Sequence, residues 1–267
     1  MRVSVIGCST LGAAQAVALA SMGHDVVGVD CDAAVVAALT AGRADGAESG
    51  LVEALAEMLA TGRLRFTTDL AAIIGARVHF ICVDAPLDRG SFAGDLAFTE
   101  VAADAMRPHL AHGDVVASRS TVPQGSAERF VAHLDGTGAT YVRKSLDVRA
   151  GFELENLLRP ERLVYGVPAG TPGETATAVL DRVFAALLSD GVPRVVTDYA
   201  TATRTAPVPV PTGDPVETFL RAVELNNVEA RELLLGLVPD VHNAAHDQLV
   251  ATWAAYRDGA QRPLAHA

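Results

Sequence analysis

The first thirty residues constrain the fold most. A β-branched run, Val3–Ile6, leads directly into Gly7-Cys8-Ser9-Thr10-Leu11-Gly12; an Ala/Leu-rich run of helical period follows over Leu11–Met22, and a second β-branched run, Val26–Val29, ends on Asp30. Strand, glycine turn, helix and second strand in this order form the βαβ unit that opens a dinucleotide-binding sheet. The turn brings backbone N–H groups and the positive end of the first helix to a pyrophosphate, while the Asp30 carboxylate accepts from both ribose hydroxyls. Gly7, Ser9, Thr10, Leu11, Gly12 and Asp30 are therefore the expected cofactor-binding residues. A carboxylate at Asp30 repels a 2′-phosphate, so NAD is expected rather than NADP. Ser9 stands where the motif's second glycine belongs, and its side chain takes space near the pyrophosphate. The same residues also fit a nucleotide-free scaffold in which Gly7 and Gly12 serve only turn and packing.

The alternation continues along the chain. Strands are expected at Val78–Val83, Val115–Ser118, Thr140–Arg143, Leu163–Val167 and Val195–Thr197, with helices at Ala33–Ala41, Leu51–Leu59, Phe98–Leu110, Gly125–Leu134 and Thr175–Leu188. Short buried runs separated by helical ones give an α/β fold, a Rossmann-like doubly wound parallel sheet. From Ala202 to Asp214 the composition turns to Thr, Ala, Val and Pro, and Pro207, Pro209 and Pro211 forbid a helix. The expected organisation is a dinucleotide-binding domain over 1–201, a Pro-rich linker over 202–214 and a C-terminal helical segment over 215–267. Apolar residues at helical spacing over Val216–Leu237 make that stretch a packing or dimer surface, and a second helix is expected over Ala244–Tyr256.

Composition excludes other classes. Against 32 Asp and Glu the chain sets 21 basic residues, for a formal charge of −11, and shows no basic run. A nucleic-acid or anionic-membrane surface is not expected. The uncharged stretch Val3–Gly23 holds Ser4, Ser9, Thr10 and Gln15 and is too polar to span a bilayer. Cys8, Cys31 and Cys82 have no paired spacing, which describes a reducing compartment, a cytoplasmic protein and no metal framework.

Several blocks together resemble the N-terminal domain of the UDP-glucose/GDP-mannose dehydrogenases: Arg2-Val-Ser-Val-Ile-Gly7, Gly23-His-Asp-Val-Val-Gly-Val-Asp30, Thr61-Gly-Arg-Leu-Arg-Phe-Thr-Thr-Asp69, Phe80-Ile-Cys-Val-Asp-Ala-Pro-Leu87, Ser118-Arg-Ser-Thr-Val-Pro-Gln-Gly125 and Leu158-Arg-Pro-Glu-Arg-Leu-Val-Tyr-Gly166. They run in the family's order over about residues 1–200. The resemblance implies an NAD-dependent enzyme that oxidises a nucleotide-sugar alcohol twice, through a thiohemiacetal on a cysteine. It also implies that Val83, Pro86, Ser120 and Thr121 contact the cofactor, Thr121 at its nicotinamide end, and that the long helix after the linker mediates a homodimer.

Other positions depart from the family. Its Gly-Thr-Pro turn is Asp84-Ala85-Pro86 here, and its Asn-Pro-Glu-Phe-Leu-Arg-Glu-Gly strand end is Lys144-Ser145-Leu146-Asp147-Val148-Arg149-Ala150-Gly151, so that Leu146 replaces the acid/base glutamate. Aligning Thr218-Phe219-Leu220 puts Gly213 at the catalytic lysine and Glu217 at the following asparagine; counting from Thr197-Asp198 puts Ala206 at the lysine. No cysteine follows Cys82, and no third domain is expected in these 267 residues. Without the thiol there is no covalent route from aldehyde to acid.

Lys144 is the one lysine among 20 arginines. Arginine does not lose its proton near neutral pH, whereas a partly buried ammonium serves as acid, base or Schiff-base amine. Accidental survival of a surface lysine is the competing explanation. A rebuilt catalytic site is expected from Lys144, Thr121, Asp147 and Glu217, with Ser120 beside them. The expected activity is an NAD-dependent two-electron redox step on a sugar or nucleotide-sugar CH–OH group. The competing reading is an inactive or repurposed homologue that binds a nucleotide or a protein partner. His242 and His246 read as a helix-surface pair, Cys8 as a small buried thiol, and Glu153 and Glu155 as solvated residues of an extended segment.

Overall fold

The computed structural model describes residues 1–44, 48, 50–83, 93–118, 126–145 and 152–204. By internal contacts the chain divides into one unit of Met1–Asp84 with Asp95–Ala206 and another of Ala85–Gly94 with Pro207–Ala267. The description below concerns the first unit. Pro86, Ser120, Thr121, Asp147 and Glu217 lie outside the described residues, as do the linker beyond Arg204, the 216–237 stretch and the His242/His246 pair.

In chain order the elements are β1 Arg2–Ile6, α1 Thr10–Ser21, β2 Asp25–Val29, α2 Ala33–Thr40, α3 Leu51–Ala60, β3 Leu64–Thr67, β4 Val78–Ile81, α4 Ala93–Met106, β5 Val115–Ser118, α5 Ser126–His133, β6 Thr140–Ser145, α6 Glu153–Leu158, β7 Leu163–Gly166, α7 Thr171–Val183, α8 Ala185–Ser189, β8 Arg194–Thr197 and α9 Tyr199–Arg204. Among the described residues one sheet takes all eight strands, in the order β3-β2-β1-β4-β5-β6-β7-β8. The order reverses beside β1, which places a ligand crevice at the carboxyl ends of β1 and β4.

The sheet is not wholly parallel. β6 and β7 pair antiparallel, with Lys144 opposite Tyr165, while every other neighbouring pair is parallel. Between them the described helix is the six-residue α6, which packs on α1. Glu153 and Glu155 lie in the first turn of α6 and not in an extended segment. There they complement the helix dipole, and the Glu48 carboxylate accepts from the Leu154 N–H at the same helix end.

Alternate residues of each strand feed two apolar layers. Val3, Val5, Phe80, Ala117, Val142 and Tyr165 pack toward α1, α3, α6 and α7, and Ile6, Val27, Ile81, Val116 and Tyr141 pack toward α4 and α5. α1 is buried continuously from Gly12 to Ala20. This explains the uncharged Val3–Gly23 stretch: it is the central strand and helix of the sheet, enclosed by protein. No helix among the described residues is long and apolar enough to cross a membrane.

At the amino end of the strands the second layer holds a buried polar chain. Ser4 Oγ and His79 Nδ1 share a 2.7 Å hydrogen bond, and His79 Nε2 lies 3.4 Å from Asp114 Oδ2, which also accepts from the Ala111 N–H at 2.8 Å. Burial alone would raise the Asp114 pKa. The bonds from His79 and Ala111, with the charge of Arg77 3.5 Å away, outweigh it and hold the carboxyl below its ordinary value.

Candidate functional site

The phosphate turn is built by two glycines that nothing larger can replace. Gly7 has φ +84°, its N–H donates to Val29 O at 2.9 Å, and a Cβ there would stand 2.8 Å from Cys82 O and 2.9 Å from Val83 Cα. A Cβ on Gly12 would stand 1.9 Å from Gly7 O. The turn thus locks β1 against the exit of β4 and starts α1 directly above it. Ser9 has φ −58°, ψ −175°, a conformation open to any L-residue, so this position does not require glycine. Ser9 and Thr10 are exposed and Leu11 is half-buried at the mouth.

α1 offers an anion its first-turn N–H groups. The Ser9 side chain makes no capping bond to them, and the first turn carries no acidic residue. Asp30 ends β2 beside this turn: Oδ2 accepts from the Cys8 N–H at 2.6 Å and Oδ1 from the Asp32 N–H at 2.9 Å. One bond on each oxygen leaves lone pairs for two ribose hydroxyls. Asp32 then caps α2 through the Ala34 N–H at 2.7 Å. These residues fit a dinucleotide: helix N–H groups for the pyrophosphate, a fixed carboxylate for the ribose, and two carboxylates against a 2′-phosphate. Val83, adjoining Gly7, completes the described part of the expected cofactor set.

Cys8 points away from the site. Its side chain is buried, with Sγ 3.0 Å from the position a Gly28 Cβ would take. Burial, then the charges of Asp30 and Cys82, push its thiol well up, so Cys8 is packing and not a nucleophile. Cys31, next to Asp30, is the exposed thiol. The burial of Cys8 agrees with its reading as a small buried thiol.

Lys144 lies at the carboxyl end of β6, three strand spacings from β1, or about 14 Å. Its side chain is 1% exposed and its Nζ stands 4.8 Å from the Phe184 ring centroid, in the layer under α7. The sequence pattern makes Lys144 a partly buried ammonium of a rebuilt polar site; its register opposite Tyr165 turns it fully into the core instead. The neighbouring Arg143 takes the other face, against Gly166 and α9, and is 5% exposed. Among the described residues no group of three His, Cys, Asp or Glu is placed to hold a metal.

A mostly parallel sheet with its reversal at β1, a glycine turn under an uncapped helix and a carboxylate at the end of β2 define an NAD-binding Rossmann domain. Residues 1–187 match the model of the UDP-glucose/GDP-mannose dehydrogenase family, NAD binding domain, and the chain belongs to that family. It is 35% identical over 207 residues to a UDP-glucose 6-dehydrogenase of Rhizobium meliloti (strain 1021), covering 76% of this chain and 47% of the relative. Among solved structures it is similar to a UDP-glucose dehydrogenase from the hyperthermophilic archaeon Pyrobaculum islandicum, with TM-score 0.66 and 33% identity over 76% of this chain and 47% of the other. A ternary complex of GDP-mannose dehydrogenase from Pseudomonas aeruginosa, with TM-score 0.70 and 23% identity over 92% of this chain and 58% of the other, shares the fold. The chain thus spans about half the length of the first two proteins.

Proposed function

We propose that the chain is the cofactor half of an NAD-dependent oxidoreductase that carries out a two-electron step on a sugar or nucleotide-sugar CH–OH group. The observation that carries this reading is the Asp30 carboxylate bonded to the Cys8 N–H at 2.6 Å, beside the uncapped start of α1. Bound NAD supplies the hydride acceptor. The chain's own residues hold it: the first turn of α1 receives the pyrophosphate, Asp30 the ribose, and Gly7 and Gly12 let backbone and ligand approach. On the sequence pattern we assign the proton of the alcohol to Lys144, with Thr121, Asp147 and Glu217 as the other candidate catalytic residues. Leu146 stands where the resemblance places the acid/base glutamate, and no cysteine follows Cys82, so these residues support one oxidation and not two.

A second reading, NAD binding without hydride transfer, is favoured by one observation: Lys144 is buried over Phe184 and not open to the crevice. The test is NADH formation by the full chain with UDP- and GDP-sugars, with product analysis. One NADH and one aldehyde per sugar consumed supports the proposal; NAD binding with no NADH from any of these substrates supports the second reading.

A further inference from the structure

A second cleft opens four strand spacings from the phosphate turn, about 19 Å across the sheet. It has a volume of about 410 Å³, within the range of small-ligand sites, and lies between α7 and the β7–β8 edge. Val167, Pro168 and Val196 form an apolar wall, facing Glu174, Thr177 and Asp181 on α7. These three are spaced i, i+3, i+7, one face of the helix.

Two oxygens of that face are buried without a hydrogen bond: Thr177 Oγ1 and Asp181 Oδ1. Asp181 Oδ2 is already bonded to Arg194. A third oxygen in the same condition stands behind the wall. Tyr165 is fully buried and its hydroxyl has no hydrogen bond. Tyr165 is the register partner of Val196, so both side chains leave the sheet on the α7 side. Burial, followed by the charge of Asp181, raises the Tyr165 pKa, with Arg194 opposing, which puts the hydroxyl in the field of the same pair. A buried polar atom left unpaired costs about 1–3 kcal/mol, and two on the lining, with the Tyr165 hydroxyl behind them, call for a donor.

The charge of the lining selects the donor. It contains two carboxylates, Glu174 and Asp181, the second paired through Oδ2 with Arg194, and no basic side chain of its own, which leaves a net negative lining. An anion would be drawn to the start of α7, but Glu174 occupies that first turn. Asp181 lies seven residues further along, roughly 10 Å away, where the helix terminus has no pull. Gly173 sets the floor, because a Cβ there would stand 1.9 Å from Pro168 O.

We propose that this cleft binds a small organic cation, a primary ammonium on an apolar stem. The ammonium donates to Asp181 Oδ1 and Thr177 Oγ1, with the Tyr165 hydroxyl reoriented toward it, and the stem lies along Val167, Pro168 and Val196. A charged donor suits a carboxylate oxygen better than a neutral hydroxyl does.

The test follows the Val167 and Val196 methyl resonances of the full chain during titration with n-butylammonium chloride, at ionic strength matched with sodium chloride. Saturable shifts are expected, with n-butanol binding about tenfold more weakly. Tyr165→Phe keeps the ring and removes only the hydroxyl, and is expected to weaken n-butylammonium binding several-fold. Asp181→Asn and Thr177→Val are each expected to weaken it about tenfold. Melting curves establish that each variant is folded; if Asp181→Asn is not, Thr177→Val with the exposed Glu174→Gln takes its place. Shifts that do not saturate, equal binding of n-butanol, or folded variants that bind like the parent would overturn the proposal.

Discussion

Gly7→Ala is the substitution whose cost the geometry fixes most closely. Two effects add at this position. The backbone is left-handed at φ +84°, which costs an alanine about 1–2 kcal/mol, and the new Cβ would stand 2.8 Å from Cys82 O and 2.9 Å from Cys82 C and Val83 Cα. Those atoms belong to the main chain leaving β4, which is anchored by the Cys82 N–H to Ile6 O at 2.8 Å, so they cannot swing aside as a side chain would. Overpacking of this kind adds about 1–3 kcal/mol, for a total of about 2–5 kcal/mol. Gly62→Ala is the control: φ is +71° and nothing lies within 4 Å of its Cβ, so only the first effect applies. Urea unfolding followed by circular dichroism reads both, at unchanged slope. The Gly7 midpoint should fall well below that of Gly62, and only Gly7→Ala should lose NAD affinity. Equal midpoints would refute the claim that the turn is wedged against β4.

Asp114→Asn should destabilise the protein by about 1–3 kcal/mol at neutral pH, since the carboxylate accepts buried bonds. Because the folded Asp114 titrates below its ordinary 3.8, that stabilisation is present above this value and is lost as pH falls through the folded pKa; acid titrations of parent and variant should therefore converge there. A thiol reagent should modify Cys31 in the native protein and reach Cys8 and Cys82 only on unfolding, read by mass spectrometry of the labelled peptides. Lys144→Met keeps an unbranched buried stem and removes the ammonium; NAD binding should persist while NADH formation falls about 10²-fold, measured by titration and by steady-state rates.

The sequence pattern located most strands because each is a compact β-branched run. β5 was expected at Val115–Ser118 and lies there, and β1 and β2 each differ by one residue at the start. β3 was missed. It has four residues, one of them Arg65, and its only strand signal is a buried Leu64 and Phe66 either side of that arginine. The run expected as one helix over Thr175–Leu188 divides at Phe184, whose φ −101° and ψ 22° leave the helical region while its ring packs under the sheet. The short α9 over Tyr199–Arg204 was not anticipated, and it puts Ala202–Arg204 in a helix where a linker was expected. Tyr199 anchors it by donating to Tyr141 O at 3.0 Å, a contact 58 residues apart in sequence.

The site divides the same way. Gly7, Gly12 and Asp30 were legible because their functions depend on local spacing: turn, helix start and strand end. The direction of Lys144 was not, since it depends on β6 extending to Ser145 and pairing antiparallel with β7. The second cleft was likewise invisible, because the Tyr165 to Val196 register and the packing of α7 create it.

The most direct test of the account is calorimetric titration of the full chain with NAD and NADP, repeated on Asp30→Asn. The account predicts saturable NAD binding, NADP at least about tenfold weaker, and a variant in which NAD weakens and the preference narrows. No NAD binding, or NADP bound as tightly as NAD by the parent chain, would contradict it.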